Sequence, residues 1–570
     1  MPVIATAGHV DHGKSSLVRA VTGTDPDRHE EEQRRGMTID LGFAHVAAPD
    51  GTVLSFVDVP GHVDFVRTMI SGVSAVSCVL FVVDAAEGWM PQSAEHMGIV
   101  NALGVRRGVL ALTKCDKVDA ATVEACIADV TARTPQMHWD AVVATSVPER
   151  RGIDELVAAL VATSRGAEVR ADPLGRVRLF VDRSFSLRGA GTVVTGTLEG
   201  APLSAGASLT VARTGARVRV RQVQTHGSSV DQASPGTRCA LNLPDTETSS
   251  IDRGDVLVEE GRWHLTDVVD ARVEVLGTAG AGMRVTTRGG YVLHVGSSHQ
   301  EVHLRLAAPG VLRTGESTHA RLRFRVPLPL TPGDRFVLRD TASGTTVAGG
   351  TVLDVAPRGS VASAADGSSA TERLARRGWV RIDEARRVTG TPVEETVPGW
   401  WASPAHHAAE SERLRGLLAA GAVDTASLTE VERAVVSSLD GVTVERGAAR
   451  TAARDPLLDH PYVARFRDAP LDGGSTAGLD RDIIRRLVNA GIILEHDSIA
   501  FHTDVLDSLR PALAALWADH PDGFLIRDLA AALGISRKWA VPLAECLDKS
   551  GLTRRTGDVR LPGRLARDRG

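Results

Sequence analysis

Short apolar runs alternate with helically spaced stretches along the first third of the chain. Val3–Ala7, Leu54–Asp58, Ser77–Asp84, Gly108–Thr113 and Ala141–Thr145 are apolar at consecutive positions, the pattern of strands buried on both faces. Leu17–Val21, Phe65–Val73 and Ser93–Leu103 carry the helical stretches between them. This alternation predicts an α/β domain over residues 1–171, a parallel sheet covered by helices. Past Pro173 the helical period stops. β-Branched runs bounded by glycine (Val177–Asp182, Gly191–Thr197, Ser208–Val211, Val218–Gln224) predict an antiparallel β-barrel over 172–261. Strands at 267–275, 300–306, 318–326 and 335–341 predict a second barrel over 262–358, with Pro327–Pro332 as a rigid connection.

Gly359–Ser369 reads as a linker, and helical spacing returns after it. Over 370–570 the pattern Leu-x-x-x-Gly followed by apolar residues recurs at Leu374–Gly378, Leu417–Gly421, Leu487–Gly491 and Leu547–Gly551. A glycine that stops a helix just before a short strand is winged-helix grammar, and three or four tandem units fit. The last, about 504–570, is the clearest: helix Ile526–Leu533, turn Gly534–Ser536, helix Arg537–Lys549, then two strands around Thr556-Gly557-Asp558. The adjacent Trp400 and Trp401 read as core.

The chemistry begins directly after the first strand. Gly8–Ser15 reads GHVDHGKS and fits G-x-x-x-x-G-K-[ST], a loop whose N–H groups cradle phosphates at a helix start. The expected contacts come from Val10, Asp11, His12, Gly13, Lys14, Ser15 and Ser16, with Lys14 on the β- and γ-phosphates and Ser15 on Mg²⁺. Asp58, at a strand end, is expected to hold Mg²⁺ through water, and Gly61 to leave room for a γ-phosphate. Gly36, Met37 and Thr38 lie in a polar loop, where Thr38 is expected to close on Mg²⁺ when a γ-phosphate is present. Thr113-Lys114-Cys115-Asp116 ends another strand, and the Asp116 carboxylate can accept both N1–H and N2–H of guanine. The expected ligands are GTP and Mg²⁺.

At 570 residues the chain has room for about three to five domains. Its 43% hydrophobic and 24% charged content is that of a globular protein. Without a membrane-length apolar run or signal-peptide core, the expectation is a cytoplasmic protein, without membrane contact. Five scattered cysteines with no C-x-x-C pair argue against a zinc knuckle or disulfide framework. Lysine occurs only at Lys14, Lys114, Lys117, Lys538 and Lys549, so two of five fall in nucleotide motifs. The net charge is −5, yet Arg527–Gly570 holds ten Arg/Lys against five Asp/Glu, a basic end of the kind that meets nucleic acid.

The motifs Gly8–Ser15, Arg35–Thr38, Asp58–His62 and Thr113–Asp116 resemble those of translational GTPases, in the order and spacing of elongation factor Tu. Gly189–Gly196 resembles the second-domain segment of that family, which faces the aminoacylated end of tRNA. With the winged-helix tail added, the whole chain resembles the bacterial selenocysteine-specific elongation factors, including Thr113 where most GTPases carry Asn. That replacement is expected to weaken a hydrogen bond between base loop and P-loop. Thr145 and Ser146 match the fifth motif loosely.

The resemblance implies that His62 orients the attacking water, held out of line by Val10 and Met37 until the ribosome repositions it. Asp11 is implied to help hold charge near the β–γ bridge, and Lys14 completes the expected catalytic set. It also implies Asp182, Arg183 and Arg238 as an aminoacyl pocket, where cations would prefer an ionised selenol to a neutral serine. Arg537, Lys538, Arg554, Arg555 and Arg560 are the expected RNA contacts, on the recognition helix and wing. The implied partners are selenocysteyl-tRNA, a messenger hairpin and a ribosome paused at UGA, for a monomeric factor. A general elongation factor, an initiation GTPase and a GTP-switched regulator that reads DNA are the competing classes. The tail argues against the first, the absent zinc cysteines disfavour the second, and Gly189–Gly196 argues against the third.

Overall fold

The computed structural model describes the chain apart from residues 1–2, 27–31, 33, 35–37, 75, 167–170, 190, 278–282, 308–309, 362–368, 452–455, 469–470, 472–473 and 565–570. It divides into two compact units, Met1–Glu410 and Ser411–Gly570.

The first domain holds a six-stranded sheet: β1 (Val3–Ala7), β2 (Gly42–Ala47), β3 (Val53–Asp58), β4 (Cys78–Asp84), β5 (Arg107–Thr113) and β6 (His138–Ala144), in the order β2-β3-β1-β4-β5-β6. β1 and β4 are buried along their whole length, which explains their unbroken apolar runs. Helices α1 (Lys14–Thr22), α2 (Val66–Val73), α3 (Pro91–Ala102), α4 (Ala120–Arg133) and α5 (Ile153–Gly166) complete the domain. Two separate apolar clusters form, one including Met69, Phe81 and Leu110 and the other Leu17, Leu80 and Val143. Phe81 and Leu80 are successive on β4, so they face opposite sides of the sheet. The sheet is not wholly parallel. β2 runs antiparallel to β3, with Gly42 opposite Asp58. Its pattern, GFAHVA, is half-exposed and escapes a search for continuous apolar runs.

The second domain is a nine-stranded antiparallel sheet around its own core of Leu179, Val194, Leu209 and Leu241. Among the described residues its hydrogen-bonded path is not one continuous ring; Leu203–Ser204 and Gln232–Ala233 pair separately beside it. The run Val218–Gln224 divides into strands Arg217–Arg219 and Gln222–Thr225, because Val220 turns its N–H and C=O to Ala207 and Gly206. The third domain does close, through six strands: Leu265–Val275, Tyr291–Val295, Ser298–Leu306, Ser317–Pro329, Arg335–Asp340 and Thr346–Asp354. Pro327 is not part of a connection. The strand continues to Pro329, and a register shift at Thr266–Val268 of its neighbour accommodates residues that lack an N–H. Arg178 joins the two domains, reaching Asp334 at 2.6 Å and Glu199 at 2.7 Å with all three side chains largely buried.

The tail begins on the third domain. Most of the expected linker, 362–368, lies outside the described residues. Ser369 then caps helix Ala370–Ala375 in a reciprocal box with Glu372. Leu374, Ile382, Ala385 and Trp401 enter the core of the third domain, while Trp400 is half-buried under Arg381.

All four repeat glycines, Gly378, Gly421, Gly491 and Gly551, take positive φ before a short strand. They do not occupy one position. Gly378 and Gly421 end an opening helix, whereas Gly491 and Gly551 follow the last helices, Arg481–Asn489 and Arg537–Ser550, before two-stranded wings. The repeat marks a helix-to-strand junction, which a winged helix uses twice. Near the end, Ile499 and Phe501 share a core with Leu513, Phe524 and Leu547, so the last unit is packed on the wing before it.

Candidate functional site

β1 ends at Ala7 and the chain turns back at once. Gly8 takes φ 135, and a Cβ there would lie 2.2 Å from the Val82 carbonyl oxygen. Asp11 at φ 60 and Gly13 at φ 87 continue the curl; aspartate is one of the few side-chained residues that enter this region. The loop is pinned by α3. Gln92 Oε1 accepts the Val10 N–H at 3.1 Å, and His96 Nδ1 accepts the Gly8 N–H at 3.1 Å. Neither residue belongs to the phosphate motif, and only a sheet that brings α3 against the loop reveals them. Burial pushes the imidazole of His12 down to about 4 and that of His96 to about 3, so both are neutral at pH 7. Lys14, only 6% exposed, is the local cation, and its Nζ donates to the His9 carbonyl at 2.7 Å. Ser16 follows it in the first turn of α1.

A place for a divalent cation lies beside this loop. The hydroxyls of Ser15 and Thr38 are 2.8 Å apart. Asp58 is fully buried; its Oδ1 accepts the Thr6 hydroxyl at 2.7 Å, and its Oδ2 has no hydrogen-bond partner. Burial pushes the Asp58 carboxyl up, against the opposing pull of Ser15, Thr6 and Lys14. A buried carboxylate oxygen without a donor beside two hydroxyls fits Mg²⁺, which prefers oxygen ligands and retains waters. Among the described residues no group of three or more His, Cys, Asp or Glu side chains could hold a metal. Gly61 borders the same space: a Cβ there would meet Lys14 Nζ at 2.3 Å and Val10 N at 2.8 Å. The requirement for glycine is room.

The base loop corrects one expectation. Thr113 Oγ1 donates to the His12 carbonyl at 2.7 Å, so the tie between base loop and P-loop is a full hydrogen bond. The shorter side chain suffices because β5 brings the backbone close. Lys114, at φ 56, pairs with Asp84 at 2.7 Å, another contact between neighbouring strand ends. Asp116 is exposed, and a hydrogen bond from Ser146 holds its carboxyl below the usual range. Thr145 donates its hydroxyl to the Leu112 carbonyl at 2.8 Å, and Cys115 N–H reaches Thr145 O at 3.2 Å. The loose fifth motif thus lies against the base loop.

His62 caps the short turn Val63–Phe65, its Nδ1 accepting the Asp64 N–H at 3.3 Å, and its side chain is 34% exposed. With Nδ1 used as an acceptor, a neutral ring carries its proton on Nε2, which becomes a donor. Met37 and Gly36, expected as gate and switch, lie outside the described residues.

The expected aminoacyl residues come together where the first two domains meet. Arg238 grips Asp182 through two hydrogen bonds of 3.0 and 2.9 Å and reaches the Thr195 hydroxyl at 2.8 Å. Its guanidinium lies 3.3 Å from the Phe43 ring centroid. Arg183 lies 5.0 Å from the same ring and bonds Asp40 and the Leu41 carbonyl. Each cation therefore already has a carboxylate.

In the terminal winged helix, Arg537 and Lys538 are exposed at the start of the last helix, with Lys538 4.9 Å from the Trp539 ring. Arg554 is exposed on the wing, and Arg555 is exposed but bonded to Glu545 and the Gly557 carbonyl. Arg560 does not belong with them. It is 1% exposed and bonds Glu545 at 2.9 Å and Asp548 at 3.0 Å, fastening wing to helix. Alternation separates it from Arg554, which stands opposite Leu561 on the other face, whereas Arg555 is directly opposite Arg560 and shares Glu545 with it.

Three protein-family models match the chain: the elongation factor Tu GTP binding domain over residues 1–165, the selenocysteine-specific elongation factor beta-barrel domain over 269–359, and the elongation factor SelB winged helix over 516–561. The chain is 36% identical over 408 residues to the selenocysteine-specific elongation factor of Desulfomicrobium baculatum, covering 68% of this chain and 64% of that one. It thus spans just under two thirds of that relative's length. It is 30% identical over 380 residues to elongation factor Tu 2 of Streptomyces avermitilis, covering 62% of this chain and 96% of that one. The crystal structure of a bacterial selenocysteine-specific elongation factor EF-Sec shares the fold, with a TM-score of 0.67 at 24% identity over 99% of this chain and 100% of that one.

Proposed function

Because the chain belongs to the elongation factor Tu-like translational GTPases, in the branch of the selenocysteine-specific factors, we propose that it hydrolyses GTP while delivering selenocysteyl-tRNA to ribosomes at UGA codons. A messenger hairpin recruits it through the terminal winged helix. The observation that carries this reading is a nucleotide site closed by Thr38 on Ser15 in the same chain as a winged helix with exposed cations.

The nucleotide chemistry follows from the side chains. Asp116 accepts the two guanine N–H groups that adenine lacks, and a hydrogen bond from Ser146 holds its carboxyl below the usual range. Lys14 and the N–H groups of Asp11–Ser16 hold the phosphates, the Val10 N–H being taken by Gln92, and Asp11 adds a carboxylate at the exposed turn of the loop. Ser15, Thr38 and Asp58 would hold Mg²⁺, which when bound neutralises charge on the phosphates. His62 aligns the attacking water from the end of the Asp58–His62 turn. Lys14 and the Val10 backbone leave no room for a side chain at Gly61. Arg183 and Arg238, both against the Phe43 ring, supply the positive field that favours an anionic selenolate over a serine hydroxyl. Arg537, Lys538 and Arg554 take phosphates of a hairpin, whose A-form stem offers little else to read.

Filter binding of the GTP-loaded full chain to selenocysteyl-tRNA, seryl-tRNA and duplex DNA tests this. Preference for selenocysteyl-tRNA is expected. Equal retention of both tRNAs, or tightest binding to DNA, overturns the proposal.

A further inference from the structure

The stretch from Thr38 to Phe43 faces the nucleotide loop at one end and the second domain at the other. Thr38 meets the Ser15 hydroxyl at 2.8 Å. The buried carboxylate of Glu32 then accepts the N–H groups of Ile39 at 3.0 Å and Asp40 at 3.1 Å, so the two residues after Thr38 are fixed in direction. Asp40 divides its carboxylate between two arginines of the second domain, Arg253 at 2.9 Å and Arg183 at 3.2 Å. Arg183 also donates to the Leu41 carbonyl at 2.6 Å, and Phe43 closes the stretch beneath Arg183 and Arg238. Arg253 reaches the Ser71 hydroxyl of α2 at 3.4 Å, the helix that follows the Asp58–His62 turn.

The contact is neither buried nor fully solvated: Asp40 is 28% and Arg183 35% exposed in their side chains. Water and ligand can reach it, and the pair can exchange partners.

We propose that Asp40 is a positioning residue that couples the nucleotide to the aminoacyl pocket, holding Arg183 beside Arg238 for as long as Thr38 stays at Ser15. When Thr38 leaves Ser15, Asp40 moves with it, Arg183 loses its carboxylate and carbonyl partners together, and the pocket loses an oriented cation. Cargo affinity then falls without any change in the second domain's own core. The inference rests on the reading of Asp182, Arg183 and Arg238 as the selenocysteine pocket, and assigns Asp40 a role outside that set.

Asp40→Asn keeps size and one acceptor but removes the charge; Asp40→Glu keeps the charge. In the full chain, the dissociation constants of selenocysteyl-tRNA and seryl-tRNA are measured with GTP and with GDP, and GTP affinity is followed with a fluorescent analogue. In D40N the GTP-bound affinity for selenocysteyl-tRNA is expected to fall roughly tenfold, within the usual range of coupling between sites. Seryl-tRNA, the GDP form and GTP affinity should stay as in the parent, and D40E should recover most of the loss. A D40N protein that keeps the parent's GTP-to-GDP ratio overturns the inference, as does an equal loss for both tRNAs. A parent without GTP-dependent preference for selenocysteyl-tRNA ends the proposed function with it; a parent that has the preference, and a D40N protein that keeps it, end this inference alone.

Discussion

At the nucleotide site the phosphate grip is backbone, curled by Asp11 at φ 60 and Gly13 at φ 87, with one lysine that is 6% exposed. At the terminal winged helix the proposed phosphate contacts are side chains: Arg537, Lys538 and Arg554 stand in water. The first arrangement spends conformational freedom during folding, so little is left to lose on binding, and the ligand must match a fixed shape. The second orders long side chains only on contact, tolerates variation, and is weakened by salt. The difference extends to histidine and arginine below the surface. Neutral His12 and His96 support the P-loop without competing for phosphate, whereas buried Arg560 supports the wing by pairing with Glu545 and Asp548.

The sharpest test of the rigid site is His62→Ala. If the ring only aligns water, ribosome-stimulated hydrolysis should slow by on the order of 10²–10⁴ with GTP binding intact. Equal single-turnover rates in mutant and parent would remove His62 from the mechanism. Next comes the support of the wing. Arg560→Met leaves the partly buried Asp548 without its cation and Glu545 with only the exposed Arg555, and should cost about 3 kcal/mol, read from denaturant unfolding of the full chain. Arg554→Met, on the outer face of the same wing, should cost almost nothing.

The nucleotide site also carries a pH signature. His12 and His96 protonate only near 4 and 3 in the folded chain, against an ordinary 6.5 when unfolded. Between those values the unfolded chain binds more protons, so stability falls as pH drops from 6.5 toward 4. The loss is about 2 kcal/mol per histidine near pH 5. His96→Asn, which retains an acceptor for Gly8 N–H, should flatten melting temperature against pH; an unchanged slope would place the titrating group elsewhere. The smallest effect belongs to the solvated surface. Replacing Arg537 and Lys538 together should reduce the slope of log affinity for the hairpin against log salt by roughly 1.5, leaving GTP affinity untouched. A slope equal to the parent's would exclude both from the interface.

Contiguity decided what could be read early. Gly8–Ser15, Asp58–His62 and Thr113–Asp116 each pack several functional groups into one turn, so their spacing alone determines the chemistry, and the sheet that carries them is legible as buried apolar runs. The helix-to-strand junctions of the tail are local too, since a glycine at positive φ needs no distant partner. Gln92, His96 and Asp84 stayed hidden because their partners are backbone or side chains far along the chain, joined only once β1, β4 and β5 lie side by side. β2 escaped because one face of an edge strand is exposed. The closure of the third domain depends on register around a whole sheet, which no single strand encodes. The arginines show the limit most plainly. Residue type and position made Arg183, Arg238, Arg554, Arg555 and Arg560 equal candidates, but a carboxylate folded against a guanidinium decides whether it is oriented at a half-exposed site, as at Arg183 and Arg238, or consumed in the core, as at Arg560. Which carboxylates lie within 3 Å is decided by packing, and that is why Asp40 and Glu545 had to be seen in place.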